Sequence, residues 1–94
     1  MTNNFKANEI IKTLVDNGGE ILHHTFGEHR DKNLGKVSVK FGEHWFNAWF
    51  NVKKNYFHSP YYNRFGYIGN VTNMKIEEGL ETILKLSKDG NKRR

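Results

Sequence analysis

A strict two-residue alternation in the middle of the chain is the feature that most constrains its fold. From Lys36 to Phe41, Val, Val and Phe alternate with Lys, Ser and Lys. Side chains that alternate with a period of two lie on opposite faces of a β-strand. The dipeptide Gly42-Glu43 then predicts a tight hairpin turn, because glycine accepts the backbone angles that such turns require. The pattern predicts two antiparallel strands with one apolar face and one polar face.

The segment after this turn, His44–Val52, is predicted to be the return strand. Its apolar face would carry Phe46, Ala48, Phe50 and Val52, and its other face Trp45, Asn47, Trp49 and Asn51. A short helix is the alternative, because the two tryptophans are four residues apart, as are Phe46 and Phe50. The high aromatic content and the preceding glycine turn favour the strand.

Amphipathic helices are predicted at both ends of the chain. Apolar residues recur at helical spacing between Ala7 and Val15, Asn3 or Asn4 is the expected N-cap, and Gly18-Gly19 ends the helix with Gly18 in the left-handed conformation. A second helix is expected after a cap within Asn70–Asn73 and is predicted to end at Gly90. The apolar residues expected to pack on one side of the sheet are Ile10, Ile11, Leu14, Ile76, Leu80, Ile83 and Leu84.

The remaining segments complete a fold of the α+β class. Glu20–Phe26 predicts a first strand, Gly27–Gly35 a charged loop, Lys53–Asn63 a loop around Ser59-Pro60, and Arg64–Ile68 a last strand. We therefore expect a two-layer sandwich with an N-terminal helix, a three- or four-stranded antiparallel sheet and a C-terminal helix. Residues 1–90 would form a single domain, followed by a basic disordered tail at 91–94.

The composition restricts the chemistry of this domain. The chain has 94 residues, a formal net charge of +5 and no cysteine, so disulfides and thiolate chemistry are excluded. The lack of cysteine, of a signal peptide and of a long apolar run predicts a cytoplasmic protein with no membrane partner. The positive charge raises the expectation of a nucleic-acid partner and argues against a protein that imitates DNA, which would be acidic.

Aromatic residues concentrate in one part of the chain. Eleven of the thirteen lie within Phe41–Tyr67, too many for a core of this size to bury, so some of them are expected to face a partner. If Phe46 and Phe50 pack under the helices, the two tryptophans stand on the other face, beside the lysines of the neighbouring strand. The predicted binding residues are Lys36, Lys40, Trp45, Trp49, Lys53, Lys54, Tyr56, Tyr61, Tyr62 and Arg64.

Rings beside ammonium groups are the combination that single-stranded nucleic acids bind. The leading hypothesis is therefore a non-enzymatic module that binds RNA or single-stranded DNA, with no cofactor and no metal. The alternative is a phage or mobile-element protein that binds and inhibits a host protein, such as a nuclease of a defence system. Small size, the absence of a catalytic motif and the surplus of aromatic residues suit that alternative as well.

The stretch Glu9–Gly18 resembles the first helix of the HicA-type toxins, small RNA-cleaving proteins built as helix, three strands and helix. The resemblance implies a catalytic histidine, which that family carries in a Gly-Ser-His motif. The matching position here is His29, where Glu28 replaces the serine, and the aromatic segment has no counterpart in the family. A histidine-dependent ribonuclease is therefore a third hypothesis, and the competing expectation for His29 is a solvated loop residue.

Overall fold

A computed structural model describes the backbone of residues 7–92 and the side chains of residues 7–72 and 74–88. Its elements, in chain order, are α1 (Ala7–Asp16), β1 (Glu20–His24), β2 (Leu34–Phe41), β3 (His44–Asn51), β4 (Tyr56–Asn63), β5 (Gly66–Met74) and α2 (Ile76–Lys92). The strands form one antiparallel sheet in the order β1-β2-β3-β4-β5, so each strand pairs with its neighbour in sequence. The predicted α+β class is confirmed, with five strands in the sheet.

Helix α1 ends as its glycines predict. Gly18 has a positive φ of 94°, its N–H donates to the Val15 carbonyl, and the Gly19 N–H donates to the Leu14 carbonyl. These two bonds form a Schellman motif, which satisfies carbonyls that the helix leaves unpaired. A side chain at Gly19 would also collide with Val39 and Phe41, so this glycine lets the chain enter β1 against the core.

Strands β2 and β3 form the predicted hairpin. Phe41 pairs with His44 across the turn, and Gly42 has the positive φ that a two-residue turn needs. Burial alternates along all of β2 and along β3 from Trp45 onward, with the phenylalanines and valines inside. The alternative of a short helix over the aromatic segment is wrong, because His44–Asn51 forms strand β3, which pairs with β2 on one side and with β4 on the other.

The predicted loop at Lys53–Asn63 is wrong, because most of it forms strand β4. Proline argues against an interior strand, since it has no N–H to donate. Here Pro60 pairs with Asn70 of β5, and the ladder around it supplies enough bonds to hold the strand. The signal that favours a strand is alternation: Phe57 and Ser59 are buried, whereas Tyr56 and His58 are not.

The start of the second helix also differs from the prediction. Strand β5 covers Asn70–Asn73, the segment expected to cap the helix, and replaces the shorter predicted strand at Arg64–Ile68. The first N–H groups of α2 find other acceptors: Ile76 N donates to Asn55 Oδ1, and Lys75 N donates to Glu78 Oε1. Helix α2 extends past Gly90 to Lys92. The N-cap predicted at Asn3 or Asn4, and Arg93 and Arg94 of the predicted tail, lie outside the described residues.

Both helices cover the same face of the sheet. Helix α1 lies on β1 and β2, and α2 lies on β3, β4 and β5. The buried apolar residues of this layer are Ile10, Leu14, Val37, Val39, Phe41, Phe46, Ala48, Phe50, Phe57, Val71, Ile76, Leu80 and Ile83. Ile11 and Leu84 pack on the edge of this core, so the predicted packing of the two helical stripes is confirmed.

Glycine at position 79 has a packing role that helix propensity alone does not suggest. An added Cβ at Gly79 would overlap the ring of Phe57, which lies directly under this turn of α2. The ring of Phe57 also meets Phe50 edge-on, with centroids 5.3 Å apart. The glycine therefore lets the helix approach a core made of rings, and this close approach offsets its unfavourable effect on helix formation.

Leu14→Ala is expected to lower the free energy of unfolding by about 2–5 kcal/mol, because Leu14 is completely buried. Val15→Ala is the matched control: Val15 follows on the same helix, but its side chain is 49% exposed, so the loss should stay within about 0.5 kcal/mol. Urea denaturation of the two variants measures the difference. Equal losses would contradict the assignment of the α1 stripe to the core.

Gly79→Ala is expected to destabilise the protein by about 1–3 kcal/mol through overpacking against Phe57. Helix propensity predicts the opposite sign, a gain of up to about 1 kcal/mol. Thermal or urea unfolding gives the sign of the change in the free energy of unfolding. That sign decides whether packing against Phe57 or helix propensity dominates at this position. Glu81→Ala, at an exposed position of the same helix, should leave stability nearly unchanged.

Candidate functional site

The sheet face opposite the helices carries the candidate site. We call it the open face and define it by these side chains, which β2, β3 and β4 direct away from the core: Lys36, Ser38, Lys40, Trp45, Asn47, Trp49, Tyr56, His58, Pro60 and Tyr62. Burial of Phe46 and Phe50 on the core side forces Trp45 and Trp49 onto the open face, because neighbouring residues of a strand point in opposite directions. Both tryptophans are half-buried.

At one end of the open face, Trp45 pairs across the strands with Lys40. The Lys40 Nζ lies 5.6 Å from the centre of the Trp45 ring, within the range of a cation–π contact. On the other side of Trp45 is its β4 partner, Tyr62, whose ring packs edge-on against Tyr67. Glu20 of β1 pairs with Lys40 from the outside and brings a carboxylate to the rim of this end.

At the other end, Trp49 pairs with Lys36, whose Nζ lies 5.7 Å from the ring centre. The loop between β1 and β2 folds onto this tryptophan, and the centres of the His29 and Trp49 rings lie 5.6 Å apart. A 2.6 Å hydrogen bond joins His29 Nε2 to Thr25 Oγ1, which in turn accepts from the Lys36 N–H at 2.9 Å. These contacts hold His29 against the open face, so it is not a solvated loop residue.

A polar pair separates the two tryptophans. Ser38 and Asn47 face each other across β2 and β3, and Ser38 Oγ donates to Asn47 Oδ1 at 2.9 Å. The bond sets the orientation of the amide and leaves its NH2 group without a hydrogen-bond partner among the described residues. The centre of the open face thus offers a donor between two aromatic rings.

The β4 side of the open face adds further ring and polar groups. His58 pairs with Trp49, and its Nδ1 lies 2.7 Å from Thr72 Oγ1 of β5. Tyr56 extends the face beyond Trp49 and is exposed at the end of the strand. His58 has no periodic signal of its own in the sequence, and its position follows only once β4 is recognised as a strand.

Two predicted lysines lie in the turn between β3 and β4. Asn51 Oδ1 accepts hydrogen bonds from the Lys53 and Lys54 N–H groups, which gives the turn a defined shape and leaves both ammonium groups exposed. The nearby carboxyl of Asp31 accepts from the Asn33 N–H, and this bond lowers its pKa below the usual value. The Asn33 amide and the charges of Lys54 and Lys53 lower that pKa further, so part of the positive charge here already faces an anion.

Tyr61 does not belong to the open face, contrary to the prediction. It pairs with Phe46, and the two rings stack with centroids 5.3 Å apart at the edge of the core. The prediction placed Tyr61 and Tyr62 together in a loop, whereas a strand sends adjacent residues to opposite faces. Arg64 lies in the exposed β4–β5 turn, where it contacts Glu43 at 3.2 Å.

The tip of the β4–β5 hairpin carries an apolar group that no periodic pattern in the sequence indicates. Phe65 is 82% exposed, Tyr67 58% and Ile68 45%. Two local contacts shape the tip: the Phe65 N–H donates to Asn63 Oδ1, and the Arg64 guanidinium lies 4.9 Å from the Phe65 ring centre. Exposed rings grouped in this way often mark a contact surface.

Other kinds of site find no support in the part of the chain that the structure describes. No group of three or more His, Cys, Asp or Glu side chains is placed to hold a metal ion. Within the same residues, neither helix has the length and the apolar character needed to cross a lipid bilayer. The candidate site is therefore a surface of rings, cations and amides.

Comparison with known proteins adds no family to this description. No protein-family model matches the chain, and no curated protein or solved structure matches it. The five-stranded sheet also departs from the three-stranded plan of the HicA-type toxins that the first helix resembles.

Trp49→Ala and Phe50→Ala should separate the two faces of β3 by their effect on stability. Phe50 is fully buried, so its truncation should cost about 3–5 kcal/mol. Trp49 is half-buried on the open face beside Lys36 and His29, so its truncation should cost about 1 kcal/mol. Urea denaturation provides the measurement. A loss of stability for Trp49→Ala as large as that for Phe50→Ala would show that the tryptophan is part of the core.

Proposed function

We propose that this protein is a non-enzymatic module that binds single-stranded RNA or DNA on the open face. The observation that carries the proposal is the repeated pairing of a tryptophan with a lysine, Trp45 with Lys40 and Trp49 with Lys36, on one side of the sheet. A base stacks on an aromatic ring whatever its identity, and a nearby ammonium group neutralises the phosphate attached to it.

The positions of the charges support a nucleic-acid ligand. Lys36 and Lys40 both stand on β2, so a chain of phosphates that follows this strand meets both ammonium groups. Lys53 and Lys54 add exposed positive charge beyond the Trp49 end. The formal net charge of +5 attracts a polyanion at long range and speeds the encounter.

A single strand suits the open face better than a duplex does. The His29 loop borders the open face at the Trp49 end, and the Tyr62–Tyr67 ring pair borders it beside Trp45. Rings stack only on bases that are unpaired or splayed out. Paired bases hide their faces within the helix, so a duplex would offer this surface only its phosphates.

The test measures binding of a fluorescent twelve-nucleotide oligothymidylate by fluorescence anisotropy at several salt concentrations. Trp49→Ala should weaken binding by about 1–3 kcal/mol, because one stacked base is lost. Lys40→Ala should weaken binding to all sequences alike. It should also reduce the slope of log affinity against log salt concentration by about one, the value for one lost phosphate contact. A matched duplex should bind more weakly than the single strand.

Lys85→Ala is the matched control for the charge effect. Lys85 is exposed on α2, on the side of the sheet away from the open face, so its removal changes the net charge equally without touching the proposed site. An equal loss of affinity for Lys85→Ala and Lys40→Ala would show that the oligonucleotide binds by general electrostatic attraction and not at the open face. Absence of binding to oligothymidylate and oligouridylate at low salt would refute the proposed function.

A second candidate function is binding to a protein, in the manner of a small inhibitor of a host nuclease. The observation that favours it is the hairpin tip, where Arg64 packs on the exposed ring of Phe65 beside Tyr67. Arginine and large aromatic side chains dominate the energetic centres of protein interfaces. Phe65→Ala distinguishes the two functions, because it should weaken a protein complex and leave oligonucleotide binding unchanged.

A further inference from the structure

The spacing of the two tryptophans restricts how a single strand can lie on the open face. Trp45 and Trp49 are four residues apart on one strand, which places their Cα atoms about 13 Å apart. Lys40 and Lys36 are separated by the same number of residues on β2, so each ring keeps its own cation. On β2 and β3 the open face therefore carries two ring–cation pairs with the Ser38–Asn47 pair midway between them.

Neighbouring bases of one strand cannot occupy both rings. Stacked nucleotides rise by about 3.4 Å per step, roughly a quarter of the distance between the tryptophans. A strand stretched to about twice that rise covers the distance in two steps, and stacking on protein rings in place of neighbouring bases allows such stretching. Two steps place bases one and three on the rings and base two between them.

We infer that the open face takes three consecutive nucleotides of a strand that runs along β3, an inference that rests on the proposed function. The outer bases stack on Trp45 and Trp49, and their phosphates follow β2, where Lys40 and Lys36 stand. The middle base lies over the Ser38–Asn47 pair. The Asn47 NH2 group, whose orientation Ser38 sets, donates a hydrogen bond to an acceptor atom of that base.

The flanking groups fit this arrangement. On the β4 side, His58 stands beside the Trp49 position and Tyr62 beside the Trp45 position, so each outer base has a second ring at its edge. Between them, Pro60 is the open-face residue of β4 by alternation, and its compact side chain leaves room above the centre of the site. His29 closes the Trp49 end, so the strand continues past Lys53 and Lys54 only by bending away from the sheet.

The test compares two trinucleotides of identical charge and identical base content, in which X is an abasic tetrahydrofuran nucleotide. In dT-X-dT the two bases are two steps apart, and in dT-dT-X they are adjacent. Only the first can stack on both tryptophans, so it should bind at least about fivefold more tightly, the factor that corresponds to the smaller estimates for one stacked base. Titration followed by two-dimensional NMR yields both affinities.

The indole N–H signals of Trp45 and Trp49 report the same arrangement without any variant. Saturation with dT-X-dT should shift both signals, whereas any one molecule of dT-dT-X reaches one ring only and should produce smaller shifts that are averaged between the two. In Trp45→Ala, the advantage of dT-X-dT should disappear, because a single ring remains. Asn47→Ala should weaken binding of dT-dT-dT and leave that of dT-X-dT unchanged, since only the former has a middle base.

The twelve-nucleotide oligothymidylate separates failure of this inference from failure of the proposed function. If it binds and the two abasic trinucleotides bind equally, or dT-dT-X binds more tightly, the spacing is refuted and the nucleic-acid function stands. The same holds if it binds and neither trinucleotide does, because three nucleotides then do not occupy the face. If the twelve-nucleotide strand itself does not bind at low salt, the proposed function is refuted, and the inference with it.

Discussion

Burial of Phe46, Ala48 and Phe50 beneath the two helices governs the arrangement of both faces of the sheet. These side chains project from β3, the central strand of the sheet, and they contact the layer that both helices form. Because a strand alternates its side chains, the same burial directs Trp45, Asn47 and Trp49 to the other face. A shift of β3 by one residue would bury the tryptophans and expose the phenylalanines, so the core and the open face are specified together.

A core built from rings needs close contacts between backbone and side chain. Gly79 brings α2 onto Phe57, and Gly35 leaves space for the ring of Phe26, which an added Cβ at that position would strike. Phe26 in turn packs against Phe50, with ring centroids 6.1 Å apart. Small domains bury a limited fraction of their surface, so a few large rings in tight contact supply much of the apolar burial that stabilises this fold.

Much of the fold could be predicted, because local patterns in the sequence match the periods of helix and strand. The stripes of both helices, the β2–β3 hairpin and the Gly18 terminus all follow from spacing and from the few residues that tolerate special backbone angles. The errors cluster after Val52. Proline and asparagine there indicated loops and caps, while the pairing of β4 with both neighbours overrode those local preferences.

Which residues share a face can be read from the alternation in the sequence. Trp45 and Trp49 lie with Lys36 and Lys40 because alternation and a two-residue turn leave no other register for the hairpin. The groups that surround these four side chains depend on contacts between distant parts of the chain. His29 reaches Trp49 through a loop without periodicity, and Tyr61 faces the core because β4 is a strand. Phe65 projects from the β4–β5 turn, where its neighbour Arg64 contacts Glu43 in the turn of the β2–β3 hairpin. Such contacts join residues far apart in the chain, and local preferences carry no information about them until the strands have paired.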